Sequence, residues 1–122
     1  MHVSCQKFVD QFVALSEGMR ISIRDTVEYF APNEPPVTAL FEALGDRIAK
    51  DFDSTSEDVN QQVFRLIEDA MTSGDSHLVT AVATGLIEAI ATETARNEGL
   101  WQRISPMLGE RSLHHAKAWL AS

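Results

Sequence analysis

The sequence predicts an all-α fold: a compact bundle of five to six helices around one central apolar helix, forming a single domain over residues 1–122. Three observations predict it. Apolar residues recur at three-to-four spacing almost throughout the chain. The Pro, Gly and Ser clusters that break this pattern are short and well separated. No period-two alternation is long enough for a convincing strand, the stretch 20–24 being the only short candidate. With 122 residues, 44% of them apolar, the chain can bury roughly two-thirds of the surface its unfolded form exposes.

The elements follow in order. Phe8, Phe12, Leu15 and Met19 form one stripe with Val9 and Val13 beside it, so a first helix is expected from an N-cap at Ser4 to a stop at Gly18. Ser22 and Asp25 read as a capping box for a second helix, which carries Ile23, Val27 and Phe30 and ends at Pro32. Asn33-Glu34-Pro35-Pro36 is the clearest loop, and Pro36 suits the first turn of a third helix. There Val37, Leu40, Phe41, Leu44, Ile48 and Phe52 line one side, and Glu42, Asp46, Lys50 and Asp53 another. The polar run 53–58 supplies a turn and an acidic start for a fourth helix, whose inward residues are Val59, Val63, Leu66, Ile67, Ala70 and Met71. Ser73-Gly74-Asp75 breaks it. The fifth segment, 76–97, is apolar over most of its circumference and rich in Ala, Gly and Thr, which places it mid-bundle. Gly99 ends it, a short turn spans 100–104, and Leu113, Ala116, Lys117 and Leu120, with Trp119, suggest a last amphipathic helix.

Composition narrows the function. The net charge of −8 argues against nucleic-acid or anionic-membrane partners. No apolar run approaches a membrane span and the first residues lack a signal-peptide core, so a cytoplasmic protein is expected. No nucleophile elbow, phosphate loop, His-Glu-x-x-His or Cys-x-x-Cys occurs, and no catalytic residue, cofactor or metal is predicted. The single thiol, Cys5, reads as structural and partly buried. His114 and His115 point about 100° apart on a helix, and His2 and His77 show no ligand spacing. Asp51, Asp53 and Thr55 imitate a calcium loop, but Ser56 and Gln62 stand where that loop needs Gly and Glu.

Charge distribution is the most informative signal. Residues 25–75 hold twelve acids against Arg47, Lys50 and Arg65, whereas residues 76–122 hold four of each sign. Part of this is structural, since Glu57 and Asp58 favour a helix start and Arg47–Asp51 is an i,i+4 pair. Glu42 and Asp46, however, oppose helix formation at the same spacing. An acidic surface for a cationic partner is expected, formed by Glu42, Asp46, Asp51, Asp53, Glu57, Asp58, Glu68 and Asp69. Trp101 and Trp119 are expected to act chiefly as packing lids.

Ser73-Gly74-Asp75, the run Leu78-Val79-Thr80-Ala81-Val82-Ala83-Thr84-Gly85-Leu86-Ile87-Glu88, and the tail with Met107-Leu108-Gly109, Ser112 and Trp119 resemble a family of small, acidic, all-helical bacterial proteins that includes immunity proteins of polymorphic toxin systems. The resemblance covers the last third to half of the chain. It implies a non-enzymatic cytoplasmic protein that neutralises a cognate toxin bearing a basic surface. It transfers no catalytic motif. A helical adaptor or regulatory interaction module, able to self-associate as a homodimer, is the alternative. Within the resembling run, Gly85 is expected to allow close approach of another helix.

Overall fold

Seven helices, not five or six, build the chain in the computed structural model, which describes residues 1–122 and contains no strand. They are α1 (Val3–Leu15), α2 (Glu17–Phe30), α3 (Val37–Asp51), α4 (Glu57–Met71), α5 (Ser76–Ala95), α6 (Glu98–Ile104) and α7 (Glu110–Ala121). The higher number comes from the short α6, which the sequence suggested only as a turn.

The first boundary lies at Ser16 instead of Gly18. Ser16 is fully extended, and its hydroxyl accepts from the Met19 N–H at 3.1 Å, so one residue closes α1 and caps α2. Gly18 lies inside α2 because α3 presses there: a Cβ at Gly18 would stand 2.7 Å from Asp51 Oδ2. Ser22 is likewise interior to α2 and accepts from Arg47 Nε at 2.8 Å, so it caps nothing. At the chain start His2, two residues earlier than Ser4, caps α1. Ser56 and Asp75 cap α4 and α5 through the N–H groups of Val59 and Leu78, and Asn97 caps α6 through Leu100. The break after α5 therefore belongs to Asn97, not Gly99.

α5 runs through the middle of the bundle and packs most extensively on α3, with α1, α4, α6 and α7 also against it. Phe12, Phe41, Leu44, Ile67, Val82, Leu86, Ile87, Ile90 and Ile104 are fully buried in one core. Between Val82 and Ile87 the helix is π-wound, and the Glu88 N–H bonds back to Ala83 C=O. One extra residue per turn rotates the following side chains by about 100° relative to an unbroken α-helix. A stripe that changes face midway reads in sequence as apolar all round. The 20-residue Ser76–Ala95 segment also has the length and hydropathy of a membrane span, which corrects the sequence expectation, but 56% of its most apolar window is buried inside the protein. That is the pattern of a core helix.

Two glycines set the α3–α5 distance. A Cβ at Gly85 would sit 2.6 Å from the Phe41 Cβ, and one at Gly45 would run into the Leu86 carbonyl oxygen. Each helix thus meets the other's backbone through a missing side chain, the close approach expected at Gly85. α7 uses a different face from the expected stripe. Ser112 and Ala116 are buried and Leu113 is half-buried, while Lys117, Trp119 and Leu120 are exposed.

Candidate functional site

Glu42 and Asp46 project from consecutive turns of α3 into a groove whose other wall is α5. Its upper part is lined by Glu42, Asp46, Thr84, Glu88, Thr92 and Trp119, with no basic residue in the lining. Its lower part holds Asp46, Lys50, Asp53, Glu93 and Arg96. Asp46 joins the two. Partial burial, then the charges of Glu93 and Glu42, push its carboxyl above the ordinary aspartate range. Each cause opposes ionisation, so Asp46 is crowded by like charge, whereas Lys50 and Arg96 offset the acids of the lower part.

The rim on the α7 side is built from pairings across elements. His115 Nε2 lies 2.8 Å from Glu88 Oε2, and Trp119 Nε1 donates to Thr92 Oγ1 at 3.3 Å. Trp119 is 43% exposed, so it edges the groove rather than covering the core. Trp101, half-buried against the core, does serve as packing.

The eight expected acids do not form one face. Glu42, Asp46 and Asp53 share the groove, although Asp53 is engaged in a bidentate pair with Arg103, both contacts at 2.9 Å. Asp51 turns to the opposite side of α3, beside Gly18 and 3.5 Å from Arg47. The calcium-like positions are accordingly pulled apart: Asp51 faces Arg47, Asp53 faces Arg103, and the Thr55 hydroxyl donates to the Asp51 carbonyl at 2.7 Å. Glu57, Asp58 and Asp69 are exposed along α4, away from the groove.

Glu68 has a structural task. It accepts from the N–H groups of Arg111 and Ser112, both at 3.0 Å, and from the Ser112 hydroxyl at 2.7 Å. Gly109, the residue before α7, admits its side chain. Burial raises the Glu68 carboxyl, but the Ser112 hydroxyl and the two backbone donors outweigh it and leave the group below the ordinary glutamate range. α7 lacks a cap of its own, and Glu68 provides one from α4.

Sequence reasoning missed Glu88 and Glu93, because residues 76–122 are neutral overall and these two acids lie on a mostly apolar segment. Helical spacing along α5 could have paired them with α3 only once the two helices were known neighbours. It also missed the gathering of His2, Asp75 and His77, whose ligating atoms lie within 4.8 Å of one another. The His2 and His77 rings stack at 4.3 Å, 9° from parallel. Asp75 Oδ1 accepts from the Leu78 N–H, and His2 Nδ1 lies 2.8 Å from the Ser4 hydroxyl. Cys5 is buried beside this cluster, and burial raises its thiol above the ordinary cysteine range.

A third feature is an open groove of about 1000 Å³ between α1, α2 and the proline-rich loop, with Met1, Val3, Val9, Ile23, Val27 and Leu40 among its lining. Val3 and Val27 are exposed.

Residues 5–121 match the family described as a domain of unknown function, DUF7674. The chain belongs to the DUF7674 family. No curated protein and no solved structure matches it. The DUF7674 match takes in all seven helices except the first two residues of α1, and with them both walls of the acidic groove.

Proposed function

We propose that this DUF7674 protein works by binding a protein with a basic surface, in the form of an immunity protein that neutralises a cognate toxin in the cytoplasm without catalysis of its own. The observation that carries the proposal is the crowding at Asp46. Like charges held together in a folded protein cost stability, and a cationic ligand removes that cost on binding. The contact set is narrower than the sequence expectation: Glu42, Asp46, Glu88 and Glu93, with Trp119 as an aromatic anchor on the rim. Asp53 joins it on releasing Arg103. Glu57, Asp58 and Asp69 serve long-range attraction instead of contact, a role that salt screens within about 8–10 Å. The resemblance of the α5 run and the tail to immunity proteins supplies the specific form of the reading.

The test is co-expression with the product of the gene adjoining its own. The wild type restores growth of the toxin-producing cells. The variant combining Glu42→Gln, Asp46→Asn and Glu93→Gln, soluble and folded by circular dichroism, does not. Equal protection by both proteins removes the acidic groove from the mechanism.

The apolar groove favours a second reading, a helical adaptor that pairs with another copy of itself. Exposed Val3 and Val27 line that groove, and apolar patches of this kind mark contact surfaces. Light scattering across a dilution series separates the readings: a dimer abolished by Val27→Glu supports the adaptor, and a monomer at every concentration excludes it.

A further inference from the structure

We propose that His2, Asp75 and His77 form a binding site for a divalent transition-metal ion of the zinc class, which fastens the start of the chain to the N-terminus of α5. The residues come from two distant parts of the sequence, and the fold alone brings them together. Two imidazoles and one carboxylate are a donor set that suits zinc and its neighbours. Zinc–nitrogen and zinc–oxygen bonds of about 2.0–2.2 Å place two tetrahedral ligand atoms about 3.3 Å apart. The three ligating atoms already lie within 4.8 Å, so closure needs about 1.5 Å at most. The near-parallel rings cannot both aim their lone pairs at one ion, and one imidazole must turn about its Cβ–Cγ bond. Both histidines are exposed, and the turn gives up the stacking of one ring on the other.

The surroundings fit a ligand shell. With the ion on Nε2 of His2, Nδ1 takes the proton, gives up the hydrogen bond it accepts from the Ser4 N–H as the cap of α1, and donates instead to the Ser4 hydroxyl 2.8 Å away. Asp75 is anchored by the Leu78 N–H through Oδ1, and the carboxylate keeps lone pairs for the metal. The positive end of α5 opposes a cation here, and the carboxylate of Asp75 offsets it. The shallow cavity beside the cluster, which includes Thr38, Ser76 and Thr80, leaves room for water in the fourth position. The other two histidines offer no such site, because His115 is held by Glu88 and His114 is exposed one position away. His2 precedes the residues matched to DUF7674, so the site is proposed for this chain and not for the family at large.

Calorimetric titration of untagged, chelator-stripped protein with zinc chloride tests the site. One ion per chain is expected, with a dissociation constant weakened at least tenfold by His2→Asn, by Asp75→Asn and by His77→Gln, and unchanged by His114→Gln. Asn keeps a capping oxygen at positions 2 and 75, so both helix starts survive the substitutions. Histidine NMR of the wild type gives a second readout, in which zinc shifts the imidazole signals of His2 and His77 ahead of those of His114 and His115. Absence of one-to-one binding, equal affinity in the three variants, or signals that shift first at His114 or His115 overturns the proposal.

Discussion

Replacing Asp46 by Asn is expected to stabilise the protein, and the gain can be worked from its neighbours. The i,i+4 repulsion with Glu42 costs about 0.2–0.5 kcal/mol. Repulsion from Glu93 across the groove is of the same order, since exposed charge pairs are worth about 0.2–1 kcal/mol. Together they make about 0.4–1.5 kcal/mol at neutral pH and low salt, which for a domain of this size is a rise in melting temperature of about 1–6 °C. The pH dependence has a definite sign. A carboxyl raised in the folded state binds more protons there than in the unfolded chain, so its ionisation removes stability as pH climbs. The penalty is absent below the unfolded aspartate pKa and complete above the raised folded one. Thermal unfolding at pH 7 and at pH 3.5, each at low and high salt, reads this directly. The Asn variant should melt higher at pH 7 in low salt, with the difference shrinking in high salt and vanishing in acid. A variant that melts at or below the wild type at pH 7 in low salt refutes the account of the groove as strained by its own charge.

Glu68→Ala should destabilise by about 2–3 kcal/mol, since it strips α7 of its cap and leaves the buried Ser112 hydroxyl without its acceptor. The wild-type Glu68 contribution has the opposite pH sign to Asp46: its carboxyl is lowered, so its stability is present above the unfolded glutamate pKa and lost as pH falls through the folded one. Denaturant midpoints of wild type and Glu68→Ala should therefore converge in acid. Gly85→Ala should destabilise by about 1–3 kcal/mol despite alanine's better helix propensity, because the new methyl meets the Phe41 Cβ; urea unfolding checks it, and a stabilised variant contradicts backbone-close packing of α3 on α5.

The helical class was legible because burial on one face of a helix writes itself as three-to-four spacing. The stripe from Val37 to Ile48 and the central placement of 76–97 both appear in the folded chain. Boundaries that depend on another helix were not legible. Gly18 looked like a stop because its need for smallness arises from Asp51 on α3, 33 residues later in the chain. The acids were visible one by one, but their grouping was not. Asp51 shows its Arg47 partner in the i,i+4 spacing, but Glu68 resembles Asp46 in sequence, and only the docking of α7 turns it toward an internal partner. The His2–His77 pairing leaves no local spacing at all, since it is a contact between the cap of α1 and the distant first turn of α5.

The paired glycines have a consequence for recognition. Because Gly45 and Gly85 let the α3 and α5 main chains touch, the walls of the acidic groove keep their separation without help from flexible side chains. A cationic partner of the kind proposed would meet a mould already set, so little entropy would be lost in ordering it and complex formation should proceed without a slow rearrangement. Selectivity then falls to how well the intervals between the visitor's own cationic groups match a spacing written in the backbone.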